Sequence, residues 1–366
     1  MAEQSTPGDR TARSGWETEI ERTIRRVRNI GELVAESNEP VVAQSPRQEV
    51  YRKHKARLYR YDGPVRYGTP VLFVPNLGIS RPTVFDLLPR ASFIEYMVEQ
   101  GFPFYLLDWG VFGPEDDHLT FADCATRILP RMGRKLLAHA EADSCSVVGY
   151  CMGAPLAVSF LGTHPDFPVR NLVNLAGPID FANAGLFGRW LDARYFDVDK
   201  LVDTLGQMPA EMVQLGFKLL RPTMDVSTGL NLWWNAWNDR YLESYKALRK
   251  WSSEYVPFPG EFFRQWVRDF YQENRLARGT LRLNGRPVDL NGITCPLLVV
   301  GAREDNIAPP AAVQALVDLV GSRDKEYREL PGGHISLIAG RSASRDCWPH
   351  VASWLAARSH QSAVAQ

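Results

Sequence analysis

The stretch that decides the fold runs Ser146-Val147-Val148-Gly149-Tyr150-Cys151-Met152-Gly153-Ala154-Pro155. A short apolar run enters Gly-x-Cys-x-Gly and leaves it in a helical pattern. A nucleophile held on a strained turn between a strand and a helix stands clear of the sheet. Glycines at 149 and 153 leave space for the close backbone approach this turn needs. The new helix aims its free N–H groups and positive dipole end at the Cys151 sulfur, which favours thiolate. The N–H of Met152 faces the place where an oxyanion would form. A second donor is expected from Leu77, in the loop Asn76-Leu77-Gly78. Most free cysteines are only small buried residues, so the reading of Cys151 depends on whether partners follow it.

Two partners follow in order. After the apolar run at residues 297–300 comes Gly301-Ala302-Arg303-Glu304-Asp305-Asn306-Ile307-Ala308-Pro309. Glu304 and Asp305 both stand just beyond a strand end; Asp305 is preferred because it directly precedes the Asn-Ile-Ala-Pro turn. After the next run comes Leu330-Pro331-Gly332-Gly333-His334, a histidine on a glycine loop that reaches over a sheet edge. The order nucleophile, acid, histidine is that of the α/β-hydrolase fold. The remaining histidines follow no late strand and are read as structural or surface groups.

Outward from this centre, short strands are expected at residues 69–74, 104–108, 145–148, 172–175, 297–300 and 326–330, with helix-length segments between them. This implies a mostly parallel sheet with helices on both faces. The strand signal vanishes between residues 180 and 290, where the period is helical and six of the ten tryptophans lie. That segment is expected to be an inserted, aromatic-rich cap whose aromatics, Trp251 among them, mainly build its own core, with some lining an apolar channel or a dimer face. The expected division is a polar tail and amphipathic helix at 1–45, core at 46–180, cap at 181–290 and core again at 291–366. In the first part, residues 1–15 are expected to be disordered. Ile20, Ile24, Val27, Ile30 and Val34 form one helical stripe, surrounded by Arg22, Arg25, Arg26 and Arg28. Such a stripe packs a helix on its own domain or on a partner.

Lys+Arg and Asp+Glu balance at 42 each, so no basic excess exists to neutralise phosphates, and no nucleic-acid partner is expected. The five cysteines are widely spaced without a CxxC pair, which argues against a disulfide scaffold or a zinc site. The N-terminus has no apolar core of signal-peptide length and no run of 18 apolar residues occurs, so the expectation is a cytoplasmic protein with no membrane span.

A cysteine nucleophile suits a particular donor. A thiol attacking a thioester exchanges one thioester for another at nearly constant energy and keeps the acyl group activated. An acyl-CoA as substrate, with no metal or organic cofactor, follows from that reading.

The chain resembles the polyhydroxyalkanoate synthases, most closely the catalytic subunit of the short two-component types. The resemblance spans nearly all of residues 40–358. It rests on Arg81-Pro82-Thr83-Val84-Phe85-Asp86-Leu87, Leu107-Asp108-Trp109-Gly110, the cysteine box Gly149-Tyr150-Cys151-Met152-Gly153, Phe263-Arg264-Gln265-Trp266, Asp269-Phe270-Tyr271-Gln272-Glu273-Asn274, Gly285-Arg286-Pro287-Val288-Asp289-Leu290 and Pro331-Gly332-Gly333-His334-Ile335. It implies that Cys151 carries the growing polyester as a thioester, that His334 deprotonates it, and that Asp305 orients His334 or helps activate the 3-hydroxyl of the incoming (R)-3-hydroxyacyl group. It also implies an accessory synthase subunit, a polyester granule surface and a homodimer. The helix at residues 17–36 is a candidate docking element for the accessory subunit. Ala154 and Asn306 depart from the family, which usually has glycine and often histidine there. An acyl-CoA thioesterase or an intracellular polyester depolymerase on the same scaffold is the alternative.

Overall fold

The structure is a computed structural model that describes residues 15–35, 40–220 and 224–362. The tail read at residues 1–15 falls almost wholly outside the described residues.

Eight strands form one sheet: β1 (Arg47–Lys53), β2 (Ala56–Tyr61), β3 (Val71–Val74), β4 (Phe104–Asp108), β5 (Cys145–Tyr150), β6 (Val169–Leu175), β7 (Leu297–Ala302) and β8 (Lys325–Leu330). Their order is β1-β2-β4-β3-β5-β6-β7-β8. β2 runs antiparallel to both of its neighbours, and every other pairing is parallel. β3, β4, β5 and β7 are buried at every position. Strands of this kind must be apolar throughout, because helices cover both faces, and this continuous character made them legible in the sequence.

β1 and β2 were not expected. They form an edge hairpin in which Arg47, Arg52, Lys53, Arg57 and Arg60 interrupt the apolar pattern, while Ala56, Leu58 and Tyr61 are buried. The charged side chains mask the period-two pattern while blunting an exposed sheet edge.

Between β6 and β7 the chain leaves the sheet and builds helices, among them Ala210–Leu220, Met224–Asn235 and Asp239–Ser253. The expectation of no strand there needs correction. Arg282–Leu283 pairs with Arg286–Pro287 around Asn284 and Gly285, both at positive φ (48° and 79°), the backbone a two-residue hairpin turn requires. Ile79–Ser80 also pairs with Tyr255–Val256, tying the insertion to the loop after β3.

The aromatics of the insertion divide in two. Phe262, Trp266 and Phe270 are buried against Phe121 and Phe181, with ring centroids 4.6 Å apart for Phe121–Phe270 and 5.2 Å for Phe181–Trp266. This cluster joins insertion to core instead of serving the insertion alone. Trp233 and Trp234, by contrast, are exposed.

The N-terminal helix, α1 (Gly15–Val34), packs the opposite way from an amphipathic helix on its own domain. Ile24 and Val27 are 64% and 61% exposed, while Asn29 is 2% exposed. Asn29 donates to Ala236 O at 2.7 Å and to Asp239 Oδ1 at 2.9 Å. Arg22 lies over the Trp237 ring and Arg26 over Trp234. Cation–π contacts and amide hydrogen bonds, not aliphatic burial, fasten this helix.

Candidate active site

The turn between β5 and the following helix, α2 (Gly153–Thr163), holds Cys151 at φ +54°. Positive φ at a residue with a Cβ is strained, and persists only where the surroundings enforce it. Here Cys151 N–H donates to Leu175 O on β6 and Ala154 N–H donates to Cys151 O, at 2.9 and 3.0 Å. α2 is buried at every position. Glycine at 149 and 153 is a steric requirement: a Cβ would sit 2.5 Å from Ala154 Cα at the first and 1.9 Å from Val74 O at the second. Backbone-to-backbone contact at Gly153 seats the start of α2 on the end of β3, which brings the loop after β3 beside the nucleophile turn.

The structure brings Cys151, His334 and Asp305 to one place. His334 Nδ1–H donates to Asp305 Oδ2 at 2.7 Å in a buried setting. The other oxygen, Oδ1, accepts the Ile307 and Ala308 N–H groups at 2.8 and 2.9 Å. The carboxylate is therefore anchored by its own turn and faces a single imidazole. Glu304, the other acid the spacing allowed, turns away and accepts the Gly332 N–H.

His334 Nε2 is buried and has no hydrogen-bond partner, although the Cys151 thiol lies close enough to bear on its charge. Burial opposes protonation of His334, but Asp305 and then Cys151 outweigh it and hold the imidazole up at about 10. Both neighbours favour imidazolium because each presents negative charge to it. Tyr150 packs on His334 with ring centroids 5.1 Å apart and donates to His334 O at 3.3 Å. Burial holds the Tyr150 hydroxyl well above its usual range. Burial, and then the charge of Cys151, also pushes the Tyr271 hydroxyl up.

Cys151 and His334 open onto a cavity of about 310 Å³. Asn76, Ile79 and Ser80 line one side, and Asn306 and Ile307 the other. Its roof comes from the insertion: Phe217 and Leu220 from α3 (Ala210–Leu220), and Trp251 from the helix Asp239–Ser253. Trp251 Nε1–H donates to Arg81 O at 3.1 Å, pinning roof to loop. Met152 and Leu77, the residues expected to offer oxyanion N–H groups, have buried side chains. They could contribute only through their backbone.

Sequence reading did not single out Tyr150, Phe217, Leu220 or Trp251 as site residues. Tyr150 stood inside the motif and could have been flagged. Phe217 and Leu220 carry no local signal; Trp251 was legible as one of the cap's aromatics. Among the described residues there is no group of three or more His, Cys, Asp or Glu that could hold a metal ion, and no helix is long and apolar enough to cross a membrane.

A family model described as alpha/beta hydrolase fold matches residues 70–340. The chain is 33% identical over 351 residues to "Poly(3-hydroxyalkanoate) polymerase subunit PhaC" of Haloferax mediterranei, covering 95% of this chain and 71% of that protein. Proteins of the same name from Allochromatium vinosum and Thiocystis violacea are 33% and 32% identical. They cover 85% and 86% of this chain, which spans 88% and 89% of theirs. Among solved structures, Paleococcus ferrophilus monoacylglycerol lipase matches with a TM-score of 0.53 at 16% identity, covering 82% of this chain and 99% of that one. At that identity the likeness is one of fold alone.

Proposed function

This chain belongs to the poly(3-hydroxyalkanoate) polymerase family on the α/β-hydrolase fold, and from that premise we propose that it builds polyester from (R)-3-hydroxyacyl-CoA with release of CoA, using Cys151, His334 and Asp305. The observation that carries the reading is the buried, unpartnered Nε2 of His334 beside a cysteine on the nucleophile turn, with Nδ1 fixed by Asp305.

In the proposed cycle the Cys151 sulfur attacks the thioester carbonyl, and its proton resides on His334 Nε2. CoA leaves as its thiol with that proton, and the acyl group rests on Cys151 as a new thioester. The 3-hydroxyl of the next hydroxyacyl-CoA then attacks this thioester. It gives its proton to His334; an ester C–O bond forms and the C–S bond to Cys151 breaks. The lengthened chain, now on CoA, returns to Cys151 by thioester exchange, and a second CoA departs. Asp305 keeps the Nδ1–H tautomer and stabilises the imidazolium at each step. Backbone N–H groups of Met152 and Leu77 are the proposed oxyanion donors. No metal or organic cofactor enters this scheme. An accessory synthase subunit, a granule surface in the cytoplasm and a second copy of the chain are the partners it implies.

The test adds (R)-3-hydroxybutyryl-CoA to the purified chain, with and without an accessory subunit, and follows thiol release and product together. CoA release with insoluble polyester, absent in Cys151→Ala, is expected. Free 3-hydroxy acid in place of polymer would overturn the polymerase reading in favour of a thioesterase.

A further inference from the structure

The order of the strands gives the cavity two sides. Cys151 follows β5, and the loop that carries Ile79 follows β3, its neighbour on one side. Ile307 follows β7 and His334 follows β8, both on the other side. Ile79 and His334 therefore border the cavity on opposite sides of the nucleophile. On the Ile79 side the roof meets the loop. There α3 packs on the ribbon in which Ile79–Ser80 pairs with Tyr255–Val256, and Phe217 of α3 lines the cavity beside Tyr255.

Both walls are fixed. Ile79 is β-branched and yet sits at φ +65°, directly after Gly78 at φ +66°. Glycine adopts that backbone freely, whereas a β-branched residue is strained in it. Strained residues persist where their surroundings enforce them, and they cluster at ligand sites. Here the ribbon enforces the backbone and the side chain lines the cavity. The Phe217 ring is backed edge-on by Phe187 at 5.5 Å and by Tyr255 at 6.1 Å. Trp251, bonded to Arg81 O, holds the roof at its height. An apolar wall that cannot retreat selects by length, because a ligand that overfills it must push packed side chains aside.

The substrate supplies the direction. On the reading proposed above, the 3-hydroxyl of the hydroxyacyl group gives its proton to His334. Its carbon is tetrahedral, so with the hydroxyl toward His334 the side chain on that carbon points away, to the side of Ile79 and Phe217. We propose that Ile79 and Phe217 form the slot for this side chain and set the length that the enzyme accepts. The assignment rests on the reading of the substrate as an (R)-3-hydroxyacyl-CoA.

The test compares kcat/KM for thiol release from (R)-3-hydroxybutyryl-CoA and (R)-3-hydroxyhexanoyl-CoA, with polymer and free acid assayed in each reaction. One methylene in an apolar pocket discriminates by about 10- to 200-fold. Phe217→Ala and Ile79→Gly should each raise the hexanoyl-to-butyryl ratio by at least about 10-fold, and Phe217→Trp should lower it by about as much. Ile307→Ala, on the His334 side, should leave the ratio where it was. Because Ile79→Gly relieves the strained φ, its urea unfolding should show a folded chain, and its ratio then reads the slot and not a damaged fold. A ratio unmoved by Phe217→Ala and Ile79→Gly, or moved as far by Ile307→Ala, overturns the slot. Equal loss of thiol release from both substrates in Phe217→Ala and Ile79→Gly overturns it too, and gives the two residues to the chemistry instead of to the choice of side chain. Failure of the polymerase reading shows separately, as free 3-hydroxy acid in place of polymer. The ratio still decides the slot in that case, because thiol release precedes the choice of acceptor.

Discussion

His334 donates its Nδ1–H to Asp305 at 2.7 Å while the second oxygen of that carboxylate is held by two backbone N–H groups. One oxygen of Asp305 is thus held by a turn four residues long, and the other is left to His334. The carboxylate can neither rotate away nor be shared, which fixes the imidazole tautomer that a thiol partner requires.

Asp305→Asn should therefore damage the chemistry far more than the fold. The asparagine oxygen can still accept from Ile307 and Ala308, but its NH₂ then faces His334 Nδ1 and favours the wrong tautomer. Thiol release from (R)-3-hydroxybutyryl-CoA should fall by about 10³- to 10⁴-fold, with the urea midpoint little changed. An activity loss below tenfold would remove Asp305 from the proposed site.

The pH dependence of stability follows from the raised position of His334. Its ordinary value is 6.5, and in the folded chain it stands near 10. A group raised on folding contributes fully below its unfolded value and loses that contribution as pH rises through its folded value. The stability difference between wild type and His334→Asn should therefore be largest at about pH 6 and shrink steadily toward pH 10. Urea unfolding of both proteins across that range measures it; subtraction cancels the other titrating groups. A difference that grows with pH would contradict the assignment.

Gly153→Ala should destabilise despite adding only a methyl group. The new Cβ would lie 1.9 Å from Val74 O and 2.7 Å from Pro75 O, and neither backbone oxygen can move without shifting the end of β3. A loss of about 1–3 kcal/mol or more is expected in urea unfolding. Thiol release should fall too, since the loop after β3 borders the cavity.

Trp251→Phe keeps an aromatic roof over the cavity and deletes the bond to Arg81 O. About 0.5–1.5 kcal/mol of stability should be lost, with KM for the acyl-CoA rising more than kcat falls. An unchanged KM would show that the roof does not need this tether.

The sequence by itself determined the parts whose signal is local. β3, β4, β5 and β7 were legible because strands buried on both faces must be apolar at every position. The turn at Cys151 was legible because close backbone approach demands glycine on both sides, and the order Cys151, Asp305, His334 followed from polar groups placed just beyond successive strand ends. The edge hairpin β1–β2 escaped because arginines and lysines interrupt its apolar positions, although Ala56, Leu58 and Tyr61 reach the core.

Only the tertiary structure decided what depends on which surfaces meet. The sequence preferred Asp305 over Glu304 on the turn that follows it, and the tertiary structure supplies the partners: Asp305 meets His334 and Glu304 accepts the Gly332 N–H. It gathered Phe217, Leu220 and Trp251 over Cys151 from more than sixty residues away in the chain. It also turned α1 over: the stripe of Ile20, Ile24, Val27, Ile30 and Val34 was plain in the sequence and all of it but the half-buried Ile30 is exposed, because periodicity says only that a helix has two faces. Which face the rest of the chain takes depended on Trp234, Trp237 and Asp239, some two hundred residues on, whose rings and carboxylate match the guanidinium and amide groups of α1 better than its aliphatic side.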